Sequence, residues 1–472
     1  MAEPPPQFDP KAEARLRRKI DRMIVPIVSL LYLFCFIDRA NIGNARLAGF
    51  ERDLQLKGND YNTVLSVFYI SYIILEIPAI MLCKLVGPGW FLPLTSVGFG
   101  LVSILTAFVS NLSEVCAVRF VLGIFEAGML PGIAYYMSRW YRRAELTYRL
   151  SLYIVMSPLA GAFGGLLASG ILTLDSFGRF TQWRMIFAIE GIITVGLSVL
   201  AIFLLTDRPE TAKWLTDEEK QLAVDRIRSE RLAASEVLDK MDKTKFWNGI
   251  SSPVTLSTSF VFLLGNITGL GLAFFAPTIV RTIYPDKTVV QQQLLTVPPY
   301  VAAALCTVLI PAISYRTDKR QLFIALCGPP MMVGFTMFLA STNPYVRYAA
   351  SFLVATTAFT TGPLTNAQVS ANVIGDAARS SAIGFNVMLG NLGGLIATWS
   401  YLPWDSPNYR IGNGLNLATS SSILVVSLVT MVWMKNDNKR RDQRAALADT
   451  AELNAADVDR LDWKHPEFRW AI

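Results

Sequence analysis

A chain of 472 residues that is 52% hydrophobic and only 17% charged, with mean hydropathy +0.39, is too apolar for a soluble protein of this length. Its formal net charge of +7 lies in flanks between apolar stretches, with no basic stripe interleaved with aromatics, so it reads as topology and contact with anionic lipid rather than nucleic-acid binding. The expected environment is the lipid bilayer.

The residues ahead of Met23 are polar, rich in charge and Pro, and lack a short apolar core with a small-residue cleavage site, so the first apolar segment is expected to stay in the protein. Crossing about 30 Å of hydrocarbon takes about 20 apolar residues, and twelve such spans follow. Their approximate limits are 24–45, 61–83, 90–110, 115–138, 150–174, 184–206, 256–281, 293–314, 321–341, 346–371, 380–402 and 414–434. The predicted fold class is therefore an all-α membrane protein with twelve transmembrane helices in two six-helix bundles.

Span one carries Asp38 and Arg39, with Asn41 and Asn44 continuing the Asp38 face. Span two carries Tyr69, Tyr72 and Glu76 on one face, and for Glu76 two readings stand: a charge anchored at the interface or a functional one. Span four carries Arg119 and Glu126, seven residues and two turns apart, so both point the same way. A charge inside a lipid-spanning helix costs at least about 2.5 kcal/mol on insertion scales, so each implies a partner, a wet cavity or a task. Span five places Gly161, Gly165 and Ser169 four apart, a spacing that lets helix backbones approach closely.

Between spans six and seven, residues 207–254 are strongly charged, and Thr216 with Glu219 forms a capping-box pattern. This is expected to be a cytoplasmic linker whose helix lies along the membrane surface or is simply solvated. In the second half, Ser314 to Arg320 echoes the turn Lys84 to Gly89 of the first half, which lacks the acid. Span ten is dotted with Thr360, Thr361, Asn366 and Gln368, and span eleven with Asn386 and Asn391. The five cysteines show no paired spacing and read as buried apolar residues, and the single histidine, His465, lies in the tail. No metal and no cofactor are expected.

Lys and Arg collect in alternate loops: in the N-terminal tail, after span four (Arg139, Arg142, Arg143, Arg149), after span eight (Arg316, Lys319, Arg320) and after span twelve. By the positive-inside rule both termini are cytoplasmic. The domain scheme is a tail 1–22, a bundle 23–206, a linker 207–254, a bundle 255–434 and a tail 435–472. With no phosphate-cradling Gly-x4-Gly-Lys-Ser/Thr sequence, no ATP is expected. With neither a metal cluster nor a nucleophile beside a base in the spans, the chain is not read as an enzyme.

Desolvation pushes an embedded carboxylate toward its neutral form and a neighbouring Arg pulls it toward the charged one, an opposition suited to taking up and releasing protons. Arginine does not titrate, but its planar fork binds a carboxylate through two hydrogen bonds. The division of labour read from the residues is acids for protons, Asp38 and Glu126, and arginines for an anion, Arg39 and Arg119. A static buried pair is the alternative.

The run from Tyr32 to Ala45 around Asp38-Arg39, the run Arg119-Phe-Val-Leu-Gly123-Ile-Phe-Glu126 through Pro131-Gly132, and Gly384-Phe-Asn386 with Gly390-Asn391-Leu-Gly-Gly394 resemble the anion:cation symporter family of the major facilitator superfamily. The tail run Asp462 to Arg469 and the run Asp207 to Lys213 further resemble its fungal allantoate, nicotinic acid and pantothenate permeases. The resemblance implies an alternating-access symporter of the plasma membrane, in which a monomer couples a small organic anion to protons. It implies proton-coupling roles for Asp38 and Glu126, substrate contacts from Arg39, Arg119, Tyr72 and Asn391, and cavity lining by Asn41, Tyr69, Glu76 and Asn386. Rival readings are export of a fungal metabolite by the same fold and a nutrient receptor that does not transport. One departure is the missing Asp-Arg signature after span two.

Overall fold

The computed structural model describes residues 8–142, 145, 149, 152–174, 182–231, 243–374, 376–447, 462–465 and 468–472, and helix is the only repetitive secondary structure among them. The described residues form two compact units, one drawn from Met1–Glu236 with Val289–Leu294, the other from Val237–Thr288 with Leu295–Ile472.

The first unit contains α1 (Pro10–Leu47), α2 (Asp60–Val86), α3 (Pro88–Thr106), α4 (Leu112–Ser138), α5 (Leu152–Ile171) and α6 (Trp183–Leu204). The second contains α7 (Pro253–Ile283), α8 (Val297–Thr317), α9 (Arg320–Ala340), α10 (Pro344–Ala371), α11 (Asp376–Ala397) and α12 (Arg410–Leu447). In the first unit α1 packs on α5 and α6, α2 on α4, and α3 on α4 and α6. In the second, α7 packs on α11 and α12, α8 on α10, and α9 on α10 and α12. The same pairings recur six helices later, so the faint echo between the half-sequences corresponds to one packing scheme used twice.

Helix ends differ from the sequence limits where polar helix continues past the apolar stretch. The N-terminal segment expected as a tail is helical from Pro10: Asp9 caps it by accepting from the Lys11 and Ala12 amides, and Leu16, Ile20 and Ile24 form a buried stripe at four-residue spacing. Likewise α12 runs on to Leu447. Eleven helices among the described residues are long and apolar enough to cross a membrane, and α10 falls outside that set although it has 28 residues. Its threonines lower the hydropathy, but the hydroxyls of Thr356, Thr357, Thr360, Thr361 and Thr365 each donate to the carbonyl four residues back, so these hydroxyls are satisfied within the helix itself.

The described start of the charged linker, residues 207–231, is tied to the first unit by ion pairs. Thr216 and Glu219 form the reciprocal capping box (Glu219 N to Thr216 Oγ1 3.3 Å, Thr216 N to Glu219 Oε2 3.0 Å), which starts the helix Asp217–Arg231. From that helix Arg226, fully buried, pairs with Glu145 at 2.8 Å, and Glu219 meets Lys19 at 2.6 Å. The acid missing after span two is supplied from this side as well. Asp207 Oδ1 accepts from the Gly89 amide at 3.1 Å in the first turn of α3 and pairs with Arg139 at 3.1 Å. A Cβ at Gly87, whose φ is +95°, would come within 2.7 Å of that carboxylate.

Residues 468–472 lie against one end of the second unit. Phe468 and Trp470 are buried with Val254 of α7 and Met434 of α12, and Trp463 and Ile472 pack against them. The Ala471 amide donates to Asn372 Oδ1 at 2.8 Å, and its carbonyl accepts from Gln368 of α10 at 2.9 Å. The Trp470 amide donates to Asn438 of α12 at 2.9 Å, and its indole N–H to Asp437 at 2.7 Å.

Candidate functional site

Adjacent residues on a helix point about 100° apart, so Asp38 and Arg39 cannot address the same neighbour. Asp38, 1% exposed, turns toward α3 and α6: its Oδ1 accepts from Ser103 Oγ at 2.9 Å and its Oδ2 from Thr194 Oγ1 at 3.3 Å. Arg39 turns toward α2 and α4. Its Nε and Nη2 both donate to Glu126 Oε2, at 3.0 and 2.8 Å, while Glu126 Oε1 has no hydrogen-bond partner among the described residues.

The rings of Phe36, Phe68 and Tyr72 surround the Arg39 guanidinium, with centroids 4.7, 5.1 and 5.0 Å from its carbon. This is a desolvated cation–π cage. Gly123, one turn before Glu126, makes it possible: any Cβ there would meet the Phe68 carbonyl oxygen at 2.5 Å and the Tyr72 amide at 3.2 Å. Because α4 bears no side chain at that point, α2 comes close enough to bring Phe68 and Tyr72 onto Arg39.

Arg119 is 2% exposed, with its guanidinium carbon 5.7 Å from the Phe187 ring of α6. Its Nε and Nη2 meet no hydrogen-bond partner among the described residues. Arg119 and Glu126 thus share a helix face, yet the acid is taken by the arginine of another helix. One guanidinium is satisfied by an acid, and the other is buried with donors to spare. Such a group is a strong site for an anion that brings its own acceptors.

The remaining candidates divide by unit. Tyr69 and Asn41 are fully buried and Glu76 is nearly so, all in the first unit. Asn41 Oδ1 accepts from Asn44 at 3.4 Å. In the second unit Asn386 donates to Asn366 Oδ1 at 2.9 Å, linking α11 to α10, and Asn391 is 8% exposed on α11. Next to it, Gly390 lets α11 close on α7, since a Cβ there would meet Phe262 at 2.5 Å and Asn266 at 2.7 Å. The structure therefore brings together Arg39, Glu126 and Tyr72, and separately Asp38 with two hydroxyls.

Three participants were not singled out from the sequence: Ser103, Thr194 and Glu190. Serine and threonine are too common in helices to mark. Glu190, buried within α6, satisfies the same embedded-charge criterion that marked Asp38 and was within reach of it.

The family model described as Major Facilitator Superfamily matches residues 28–398. An uncharacterized transporter of Schizosaccharomyces pombe is 32% identical over 92% of this chain and 89% of its own length. The high-affinity nicotinic acid transporter of Saccharomyces cerevisiae is 28% identical over 97% of this chain and 85% of its own. Among solved structures, the inward-open xylose transporter XylE of E. coli superposes with a TM-score of 0.65 at 16% identity, covering 85% of this chain and 94% of that one.

Proposed function

The chain belongs to the Major Facilitator Superfamily, is a multi-pass membrane transporter and not an enzyme, and we propose that it is a proton-coupled symporter of a small organic anion. The substrate is a carboxylate-bearing nutrient or vitamin of the nicotinate, allantoate or pantothenate kind, taken up across the plasma membrane. Both termini face the cytoplasm, the bundles 23–206 and 255–434 alternate access, and the monomer is the working unit.

The observation that carries this reading is the unequal treatment of the two buried arginines. Arg39 has an acid on two of its donors, whereas Arg119, 2% exposed, keeps Nε and Nη2 unmet among the described residues. A substrate carboxylate meets those donors with charge-assisted hydrogen bonds and competes with Glu126 for guanidinium. Protonation of Glu126 or Asp38 then offsets the charge the anion brings in. In this scheme Asp38 and Glu126 handle protons, Arg39, Arg119 and Tyr72 hold the anion, and Asn391 is a substrate residue of the second unit. Asn41, Tyr69, Glu76 and Asn386 line the cavity. The relationship to a named nicotinic acid transporter supports the substrate class.

The test is uptake into proteoliposomes with an imposed pH gradient, using radiolabelled nicotinate challenged by pantothenate, allantoate, biotin and simple dicarboxylates. Accumulation that follows the gradient and is competed by one of these anions is the expected result. Accumulation indifferent to the gradient, or no transport of any anion in the panel, overturns the reading.

A further inference from the structure

A third carboxyl group stands beside the charges described above. Glu190 of α6 is fully buried, and neither of its oxygens has a hydrogen-bond partner among the described residues. Three residues before it, Phe187 lies under the Arg119 guanidinium at 5.7 Å. Four residues after it, Thr194 donates to Asp38. Positions at i, i+3 and i+7 share one helix face, so Glu190 sits on the stripe of α6 that runs from the Arg119 contact to the Asp38 contact.

Its position is fixed by backbone packing. A Cβ at the neighbouring Gly191 would lie 2.8 Å from both the Gly100 carbonyl oxygen and the Ile104 amide of α3. The same two helices supply both hydroxyls, Ser103 and Thr194, that hold Asp38. On the helices packed against this stretch of α6, the ionisable side chains facing it are Asp38 from α1 and, across the Phe187 ring, Arg119 from α4; α3 has none.

Charge balance restricts what these groups can do together. Glu126 is taken by Arg39, which among the described residues leaves Arg119 as the cation nearest the two acids Asp38 and Glu190. Ionising both would leave an uncompensated buried charge, the arrangement that costs several kcal/mol in measured cases. Two carboxyls that cannot both ionise behave as one titrating pair.

We infer that Glu190 is a further proton-handling residue, sharing one exchangeable proton with Asp38. At any time the proton forms the O–H bond of one carboxyl while the other is ionised, with no change in electron count, and the anion at Arg119 decides when the pair must hold it. The inference rests on the proton-coupled reading for its role in transport, but the shared proton itself can be measured without substrate.

The experiment is a pH-titrated infrared difference spectrum of the purified full-length protein, with no substrate present, for wild type, E190Q, E190D and D38N. E190Q is expected to remove a buried carboxylic-acid band and to shift titration of the remaining one by about a unit or more, the size of coupling that defines such a pair. D38N is expected to do the reciprocal. Titration of the Asp38 band that is the same in wild type and E190Q overturns the inference. Should E190Q not fold, E190D decides: a shifted Asp38 titration supports the pair, and an unshifted one overturns it. In parallel, accumulation of radiolabelled nicotinate in proteoliposomes under a pH gradient is expected to fall at least tenfold in E190Q. If wild-type accumulation ignores the gradient while the bands are coupled, the symport reading fails and the shared proton stands.

Discussion

Arg39 pairs with Glu126, 87 residues away, and not with Asp38 beside it in the chain: both guanidinium donors converge on one carboxylate oxygen at 3.0 and 2.8 Å. The pair is 7% and 0% exposed at its side chains, so each partner depends on the other to offset its burial. Removing one partner of a buried pair costs about 3–5 kcal/mol, whereas replacing both with apolar residues of similar size is often neutral. R39M is accordingly expected to lower thermal stability sharply, and R39M with E126M to recover most of it. Equal losses in the single and double variants, measured by thermal unfolding in detergent, would remove the ion pair as the source.

Neutralising Glu126 while keeping its shape separates proton coupling from binding. E126Q is expected to lose gradient-driven accumulation of the substrate anion while exchange of internal for external substrate stays measurable. Wild-type accumulation in that variant would end its proton role.

At Arg119 the charge alone is not enough, because lysine keeps the charge but lacks the planar fork. Hydrogen bonds to charged groups contribute about 1.5–3 kcal/mol, so R119K is expected to weaken apparent substrate affinity about tenfold or more. A half-saturation concentration unchanged from wild type would rule out the anion clamp.

Asp207 holds the first turn of α3 and Arg139 together. A carboxylate at a helix start contributes about 1 kcal/mol, so D207A is expected to destabilise the first unit by that order. G87A should cost more, since it combines a positive φ with a Cβ 2.7 Å from the same carboxylate. Thermal unfolding of both variants checks the order, and a G87A protein as stable as wild type would contradict it.

The docked tail has a calculable response to pH. Burial pushes the Asp437 carboxyl up, but the Trp470 indole N–H and the Arg441 guanidinium outweigh it and hold the group below the usual carboxylate range. A carboxyl depressed in the folded state stabilises above its unfolded value, about 3.9, and loses that contribution as pH falls through the folded value. Docking of residues 468–472 is therefore expected to be indifferent to pH between about 5 and 8 and to loosen only in stronger acid. Hydrogen exchange of the Trp470 and Ala471 amides measures it, and D437N should raise their exchange already at neutral pH.

Much of this was legible in the sequence because burial of charge is so costly that four ionisable residues in apolar stretches stand out unaided. The helices were legible for the same reason, including α10, whose threonines depress its hydropathy but satisfy their own hydroxyls. The pairing was not: Arg39 and Asp38 are neighbours, and only the direction of each side chain shows that Arg39 reaches α4 while Asp38 reaches α3 and α6. Asp207 was hidden by distance, standing 118 residues from the amide it caps. Glu190 was not hidden in the same way, since an acid among the apolar residues of span six meets the criterion that marked Asp38.

The tail holds the ends of three helices at once: α7 through Val254, α10 through Gln368 and Asn372, and α12 through Asn438 and Asp437. It acts as a splint across that end of the second unit. Helices fastened together at one end can bend only beyond the fastening, which leaves their interior prolines, Pro277 in α7 and Pro363 in α10, as the available hinges.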